Sequence, residues 1–296
     1  MRKSLAQAAK PLTMLPPLPG WIISAHPNTL ESAAFQSGAA LAHLDFVSGQ
    51  ALVPQELWRA RQALAAAEVC AGLAGRREGQ GGLRDAVHLT RPGDDPGPAG
   101  VILQQWARAV ARPISAAHLG KVLDGVPAER IALCLNADGA NPVNRAAAAL
   151  EAVLAVSPRA ETVALILADA VLAKALGRDH ILPVLSLALK PRDLARSGDD
   201  LRLACHRAIV TAVAQALPFA ADLARRAARL QVVVPKLRAK GAGRAVELFL
   251  SRDALAPAAL TAFMSDRAAR RLCARLVDLG AVRELTGRDT FRLYGV

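Results

Sequence analysis

One serine and seven arginines near the C-terminal end have types and spacing that suit the binding of phosphate. Ser265, Arg267, Arg270, Arg271 and Arg275 fall in SDRAARRLCARLVDLG, and Arg283, Arg288 and Arg292 follow it. At about 100° per residue, a helix over this stretch gathers Arg267, Arg270, Arg271, Ala274, Arg275 and Asp278 on one side. Ala269, Leu272, Cys273, Leu276 and Leu279 gather on the other, so one face can pack while the opposite face offers four guanidinium groups. A guanidinium donates two bonds at once from a planar fork, which matches phosphate oxygens and the O6/N7 edge of guanine. Ser265 is a good N-cap, and the first backbone N–H groups behind it add an anion site. Gly280 stops the helix, and Thr286-Gly287-Arg288-Asp289 turns between two extended runs in which Val282, Phe291 and Leu293 alternate with Arg283 and Arg292. Helix, glycine, strand, turn, strand is the order of the second half of a winged helix-turn-helix. The expectation is double-stranded DNA as partner, with Arg267, Arg270, Arg271 and Arg275 in a groove and Arg283, Arg288 and Arg292 on the wing. A protein partner held by the same fold is the alternative.

Charge is distributed to match. The chain has a formal net charge of +12, and from Asp222 to Val296 there are 15 Lys+Arg against 7 Asp+Glu, a net of +8, which leaves +4 for the other 221 residues. A cationic C-terminal quarter points to a polyanion more than a uniformly basic protein would.

Other chemistry is thinly represented. Cys70, Cys134, Cys205 and Cys273 are scattered through apolar helical contexts, as buried free thiols in a reducing compartment would be. The six histidines have no metal-ligand spacing, so no metal is expected. Gly75 to Gly82, GRREGQGG, lacks the G-K-[ST] of a phosphate loop and follows a helical pattern rather than a strand. The charges Arg84-Asp85, Arg91 and Asp94-Asp95 could rim an active site between Arg76 and Asp95. The simpler reading makes Asp94 or Asp95 the cap of a helix starting near Ala99. No nucleophile or acid–base signature is present, so neither an enzyme nor a cofactor is expected. A helical body with a winged helix also occurs in some Fic-type AMP-transferases, but their H-P-F-x-x-G-N-G-R signature is absent: His206 is followed by Arg207-Ala208-Ile209.

The elements that must position these residues are helical. Ala and Leu dominate and aromatics are 3% of the chain, so the fold class is mainly α: a helical bundle followed by a C-terminal winged helix-turn-helix. Residues 1–20 read as a loose Pro-rich tail, 21–236 as the bundle and 237–296 as the winged unit, with a basic hinge at Pro235 to Gly243. Bundle helices are expected near 29–47, 54–74, 83–89, 99–111, 116–123, 127–135, 145–156 and 159–176, then a pair, 199–217 and 218–234, divided at Pro218. Helices over 244–250 and 255–261 would precede the arginine helix. The longest apolar run, Thr162 to Ala173, contains Asp169 and falls short of the roughly 20 residues a span needs, so no membrane partner and a cytoplasmic location are expected.

Three stretches, GRREGQGGLRDAVHLTRPGDDPGPAG, PKLRAKGAG and SDRAARRLCARLVDLGAVRELTGRDTFRLYG, resemble a bacterial family of unknown function that is often plasmid-encoded. The sequence departs from that pattern at Gly79-Gln80-Gly81, where a more helical, acidic stretch is usual. The resemblance implies one unit over most of the length and no particular activity.

Overall fold

A computed structural model describes residues 15–24, 27–91 and 93–296. Most of the expected N-terminal tail lies outside them. Among the described residues the protein is mainly helical, and several of its helices begin where a short polar side chain accepts from the first turn. Thr29 accepts from Ser32 N (3.3 Å) to start α2 (Leu30–Ser48), after a short α1 (Gly20–Ser24). α3 (Gln55–Leu73) buries Leu57, Leu64, Ala67 and Ala71, and α4 (Gln80–His88) starts three residues earlier than expected, inside the glycine-rich stretch. α5 (Gly97–Ala111), α6 (Ala116–Gly120) and α7 (Ala128–Leu135) follow. Asn141 then caps α8 (Pro142–Val156) by accepting from Asn144 N at 2.9 Å, and α9 (Glu161–Ala175) runs through the centre.

Asp169 of α9 is fully buried and accepts from Val184 N, Leu185 N and Ser186 N and from Ser186 Oγ, at 2.7–3.2 Å. A residue that interrupted an apolar run in the sequence thus caps the short α10 (Leu185–Ala188), a helix the sequence did not announce. α11 (Pro191–Leu194) leads to α12 (Gly198–Val233), which is one continuous helix of 36 residues.

The expected division at Pro218 is therefore corrected. Pro218 lies on the exposed side of α12, while Ala212, Val213, Ala216, Leu217, Ala220 and Leu223 continue the buried stripe past it. Proline deletes one backbone hydrogen bond and crowds the carbonyl four residues back, a cost of about 3 kcal/mol. Burial of that continuous stripe, with α12 packed on α2, outweighs it. Undivided, the stretch Gly198–Lys236 is long and apolar enough to cross a membrane by length and composition, and 56% of its most apolar part is buried within the protein.

The C-terminal region comprises α13 (Ala242–Ser251), a 3-10 turn (Pro257–Leu260), α14 (Asp266–Asp278) and two strands, β1 (Arg283–Glu284) and β2 (Tyr294–Gly295). The helix expected over 255–261 is only that turn. The ladder is antiparallel, Arg283 opposite Gly295 and Glu284 opposite Tyr294, with a bridge from Leu255 to Tyr294. An extended wing is not evident. Leu285 N donates to Leu293 O (2.8 Å), and Thr286 Oγ1 then accepts from Leu293 N (3.3 Å) and ends the pairing. Beyond it Gly287 (φ 60°) and Phe291 (φ 52°) bend the chain away from extended geometry. Phe291, expected on the packed side of the hairpin, is exposed.

One contiguous apolar core joins Leu44, Trp58, Trp106 and Ile209 of the bundle to Phe249, Leu272 and Leu276 of the C-terminal region. Their polar link is Asp253, just after α13. It takes Arg84 of α4 in a two-bond fork (2.7 and 2.9 Å) and Arg61 of α3 at 2.9 Å, and Arg61 also donates to Val296 O at 3.1 Å. All three charged side chains are largely withdrawn from water, at 10–17% exposure. Removing one partner of such a cluster leaves charge without compensation. Asp253→Ala is expected to cost about 3 kcal/mol in urea unfolding, and pairing it with Arg84→Met should restore part of that loss. Equal stability of Asp253→Ala and wild type would show that the apolar core alone holds the C-terminal region.

Candidate nucleic-acid interface

α14 is amphipathic as its spacing requires. Ser265 accepts from Ala268 N (3.4 Å) at the start, and Gly280 (φ 63°) supplies the left-handed residue past its end. Ala269, Leu272, Cys273 and Leu276 are buried; Arg267, Arg270, Arg271 and Arg275 are exposed on the opposite face.

Across from that face runs the segment Lys236 to Lys240. The two enclose a groove of about 760 Å³ whose charged lining residues are Lys236, Arg238, Lys240, Arg271 and Arg275. Five cations line it and no carboxylate does. Among the described residues none of the five, nor Arg267, is in an ion pair, although twelve other arginines are. Gly241 (φ 90°) makes the close turn possible, since a Cβ there would lie 2.9 Å from Phe263 Cδ2. Phe263 lines the groove, and the Arg244 guanidinium sits 4.8 Å from its ring centroid, a cation–π contact.

The expected contact residues do not all converge. Ser265, Arg271 and Arg275 line the groove, and Arg267 lies one turn before Arg271 on the same ridge. Arg270 is paired with Asp266 at 3.0 Å. Arg283 is exposed beyond the far end of α14, in a small recess with Arg225 and Arg229 of α12. Arg288 is placed otherwise than expected: instead of facing outward from a wing, it forks onto Asp85 of α4 (3.0 Å for one bond) and fastens the hairpin loop to the bundle. Arg292 donates to Arg288 O at 2.9 Å and lies 3.6 Å from both Glu284 and Asp289. Conversely, Lys236, Arg238 and Lys240 read in the sequence as a hinge. Their signal, three cations at alternate positions before a glycine, was visible, but their partner face is about thirty residues away.

A family model described as protein of unknown function (DUF1403) matches residues 6–296. The chain belongs to that family. No curated protein matches it.

Two further clusters carry chemistry-bearing side chains in this family member. At the Pro-rich turn before α5, Asp95 Oδ1 accepts from Gly97 N at 2.8 Å, and Gly93 (φ 97°) and Gly97 (φ 73°) supply the required backbone. Asp95 thus holds the first N–H of α5 from the residue before its N-cap, Pro96, and Arg84, the nearby cation, is committed to Asp253; Pro92 lies outside the described residues. Deeper, Ser37 Oγ lies 2.7 Å from His206 Nδ1, and His206 Nε2 lies 3.1 Å from Asn144 Oδ1. The order resembles a nucleophile, base and orienting residue. However, Ser37 is 1% and His206 2% exposed, so a substrate reaches Oγ only if α2 and α12 part. Ser37 Oγ also donates to Ala34 O at 3.1 Å, and both ring nitrogens of His206 are engaged by uncharged partners. The three residues tie α2, α8 and α12 together.

Burial pushes the His206 pKa down to about 4 from 6.5. The unfolded chain therefore takes up a proton below pH 6.5 that the folded protein refuses until about pH 4. Stability from this group is present above pH 6.5 and is lost as pH falls through that window, with a limiting slope of about 1.4 kcal/mol per pH unit. Asp169, pushed up to about 6 by burial against its four hydrogen bonds, acts with the opposite sign over part of the range. Denaturant titrations of wild type and His206→Gln should therefore diverge between pH 6.5 and 4, wild type losing stability relative to the variant by up to about 1.4 kcal/mol per pH unit as pH falls. Parallel curves would rule out a neutral buried imidazole.

The two faces of α14 are separable in the same way. Leu276→Ala should cost about 2–5 kcal/mol, and Arg271→Ala should change stability by no more than about 0.5 kcal/mol. The reverse order in thermal melts would invert the assignment.

Proposed function

We propose that the protein binds double-stranded DNA through the groove between α14 and the Lys236–Lys240 segment. The supporting observation is five cations facing one space with no carboxylate among them. Arg267, Arg271 and Arg275 recur every four residues, about 6 Å apart along the axis. Such like-charge neighbours weaken an isolated helix by about 0.2–0.5 kcal/mol per pair, and Arg267 in the first turn also opposes the helix dipole. None of these costs is offset by an ion-pair partner among the described residues, and a phosphate backbone relieves all of them. On this reading residues 237–296 act as a compact winged helix-turn-helix: α13, the Leu255 bridge, the 3-10 turn, α14 and the β1–β2 ladder follow its element order, with a wing too short to reach far. Arg267, Arg271 and Arg275 enter the groove of DNA, Lys236, Arg238 and Lys240 hold phosphates, and Arg283 extends the contact. The role is regulatory or one of plasmid maintenance, in the cytoplasm, which suits α12 as a core helix.

The test is fluorescence anisotropy of full-length protein with a labelled duplex. With five phosphates neutralised, log K should fall against log salt with a slope of about −4.5, or about 500-fold in affinity between roughly 50 and 200 mM salt. Arg271→Ala with Arg275→Ala should reduce the slope by about 2. Weak, salt-insensitive binding, or a slope unchanged in the double variant, would overturn the proposal and favour a protein partner on this face.

A further inference from the structure

A second cavity, remote from the cationic groove, lies where α3, α4 and α5 meet the segment Ser251 to Ala254. Its volume is about 520 Å³, within the range of sites for small organic ligands, about 300–1,000 Å³. Leu64, Val87, Leu103 and Val110 give it an apolar wall. Its charges are unequal: Arg59, Arg84 and Arg252 line it against Glu56 and Asp253, a surplus of one positive charge. His88 lines it too, and partial burial lowers its pKa, so it adds no charge at neutral pH.

Arg59 carries the argument. Arg84, on the same cavity, is satisfied by a fork onto Asp253. Arg59 is half-buried on α3, yet among the described residues it has neither an ion pair nor a hydrogen-bond partner; Glu56, one turn earlier, is felt as charge without being bonded. A half-buried guanidinium without a carboxylate, beside an apolar wall and a single surplus charge, is completed by one anionic group attached to an apolar body. A polyphosphate would meet Glu56 and Asp253 with excess negative charge.

We infer that this cavity binds a small organic acid carrying one carboxylate, with the carboxylate on Arg59 and the apolar body against Leu103 and Val110. The inference is independent of DNA binding, since no residue is shared between the two cavities. One wall of the site is the segment that bears Asp253, so an occupant sits at the joint between bundle and C-terminal region.

Isothermal titration calorimetry of the full-length protein with naphthoate, and with its neutral counterpart naphthylmethanol, tests this. Naphthoate should bind saturably at one site per chain, and naphthylmethanol at least about tenfold more weakly, as expected for loss of a charge-assisted bond. Arg59→Gln should weaken naphthoate by about tenfold to a hundredfold and leave naphthylmethanol unchanged. Ala107 is exposed on α5 and lines the cavity, so Ala107→Trp should fill it and abolish binding of both without unfolding the protein. Arg271→Ala with Arg275→Ala should leave naphthoate binding intact. Absence of saturable binding, equal affinity for acid and alcohol, or dependence on Arg271 and Arg275 rather than Arg59 would each overturn the inference.

Discussion

The carboxylate of Asp253, held between Arg84 and Arg61, is the constraint on which the placement of the C-terminal region depends. It joins α3, α4 and the segment after α13, which are distant in sequence. Two residues later Leu255 pairs with Tyr294, donating and accepting at 2.8 and 2.9 Å, so the position of Asp253 sets β2 and through it β1. β1 follows directly on the end of α14, where Ala281 N donates to Leu276 O. The chain passes closest at Gly295, where a Cβ would stand 2.7 Å from Asp253 O and 2.8 Å from Arg61 Nη2. A buried ion cluster contributes little net stability over an apolar replacement, because desolvation offsets attraction. Its effect is discrimination: a shifted docking would leave two guanidinium groups in the interior without a carboxylate.

Two groups of arginines contrast. One joins elements through carboxylates: Arg61 and Arg84 on Asp253, Arg178 on Asp45, Arg288 on Asp85. The cations of the groove have none, and they cluster rather than disperse. A protein with 25 acidic side chains could have interspersed them, and the acidic residues of α14 instead sit at its two ends, Asp266 and Asp278. Local neutrality is therefore achieved at these joints and withheld along the groove, which is the distribution expected when counter-charge comes from outside.

Much of this was legible in the sequence, and the failures have physical causes. Period and caps gave α2, α3 and α14 closely, because Thr29 and Ser265 announce helix starts by local chemistry, whereas Asn141 starts α8 three residues before the expected position 145. The faces of α14 followed from spacing alone. Pro218 misled because its cost is local, whereas the gain from packing α12 on α2 is long-range. Phe291 misled because alternation assumes extended backbone, and a left-handed residue breaks the alternation. Asp253, the most consequential residue, carries no signal in one dimension: its partners are 169 and 192 positions away. Asp169 and His206 were invisible for the same reason, since each looks like an isolated polar residue until its partners are brought up to it.

The groove and the second cavity are joined by a single element. α13 begins at Ala242, directly after the Lys236–Lys240 run and Gly241, and ends at Ser251, which lines the cavity beside Asp253. It is 10 residues long, about 15 Å. Ala245, Val246 and Phe249 bury one face of it in the common core, so it moves with that core or not at all. At its start Gly241 lies close to Phe263, where a Cβ would stand 2.9 Å from Cδ2. The cationic run and the Arg84–Asp253–Arg61 cluster thus flank the two ends of one helix packed into the core, rather than two independent loops.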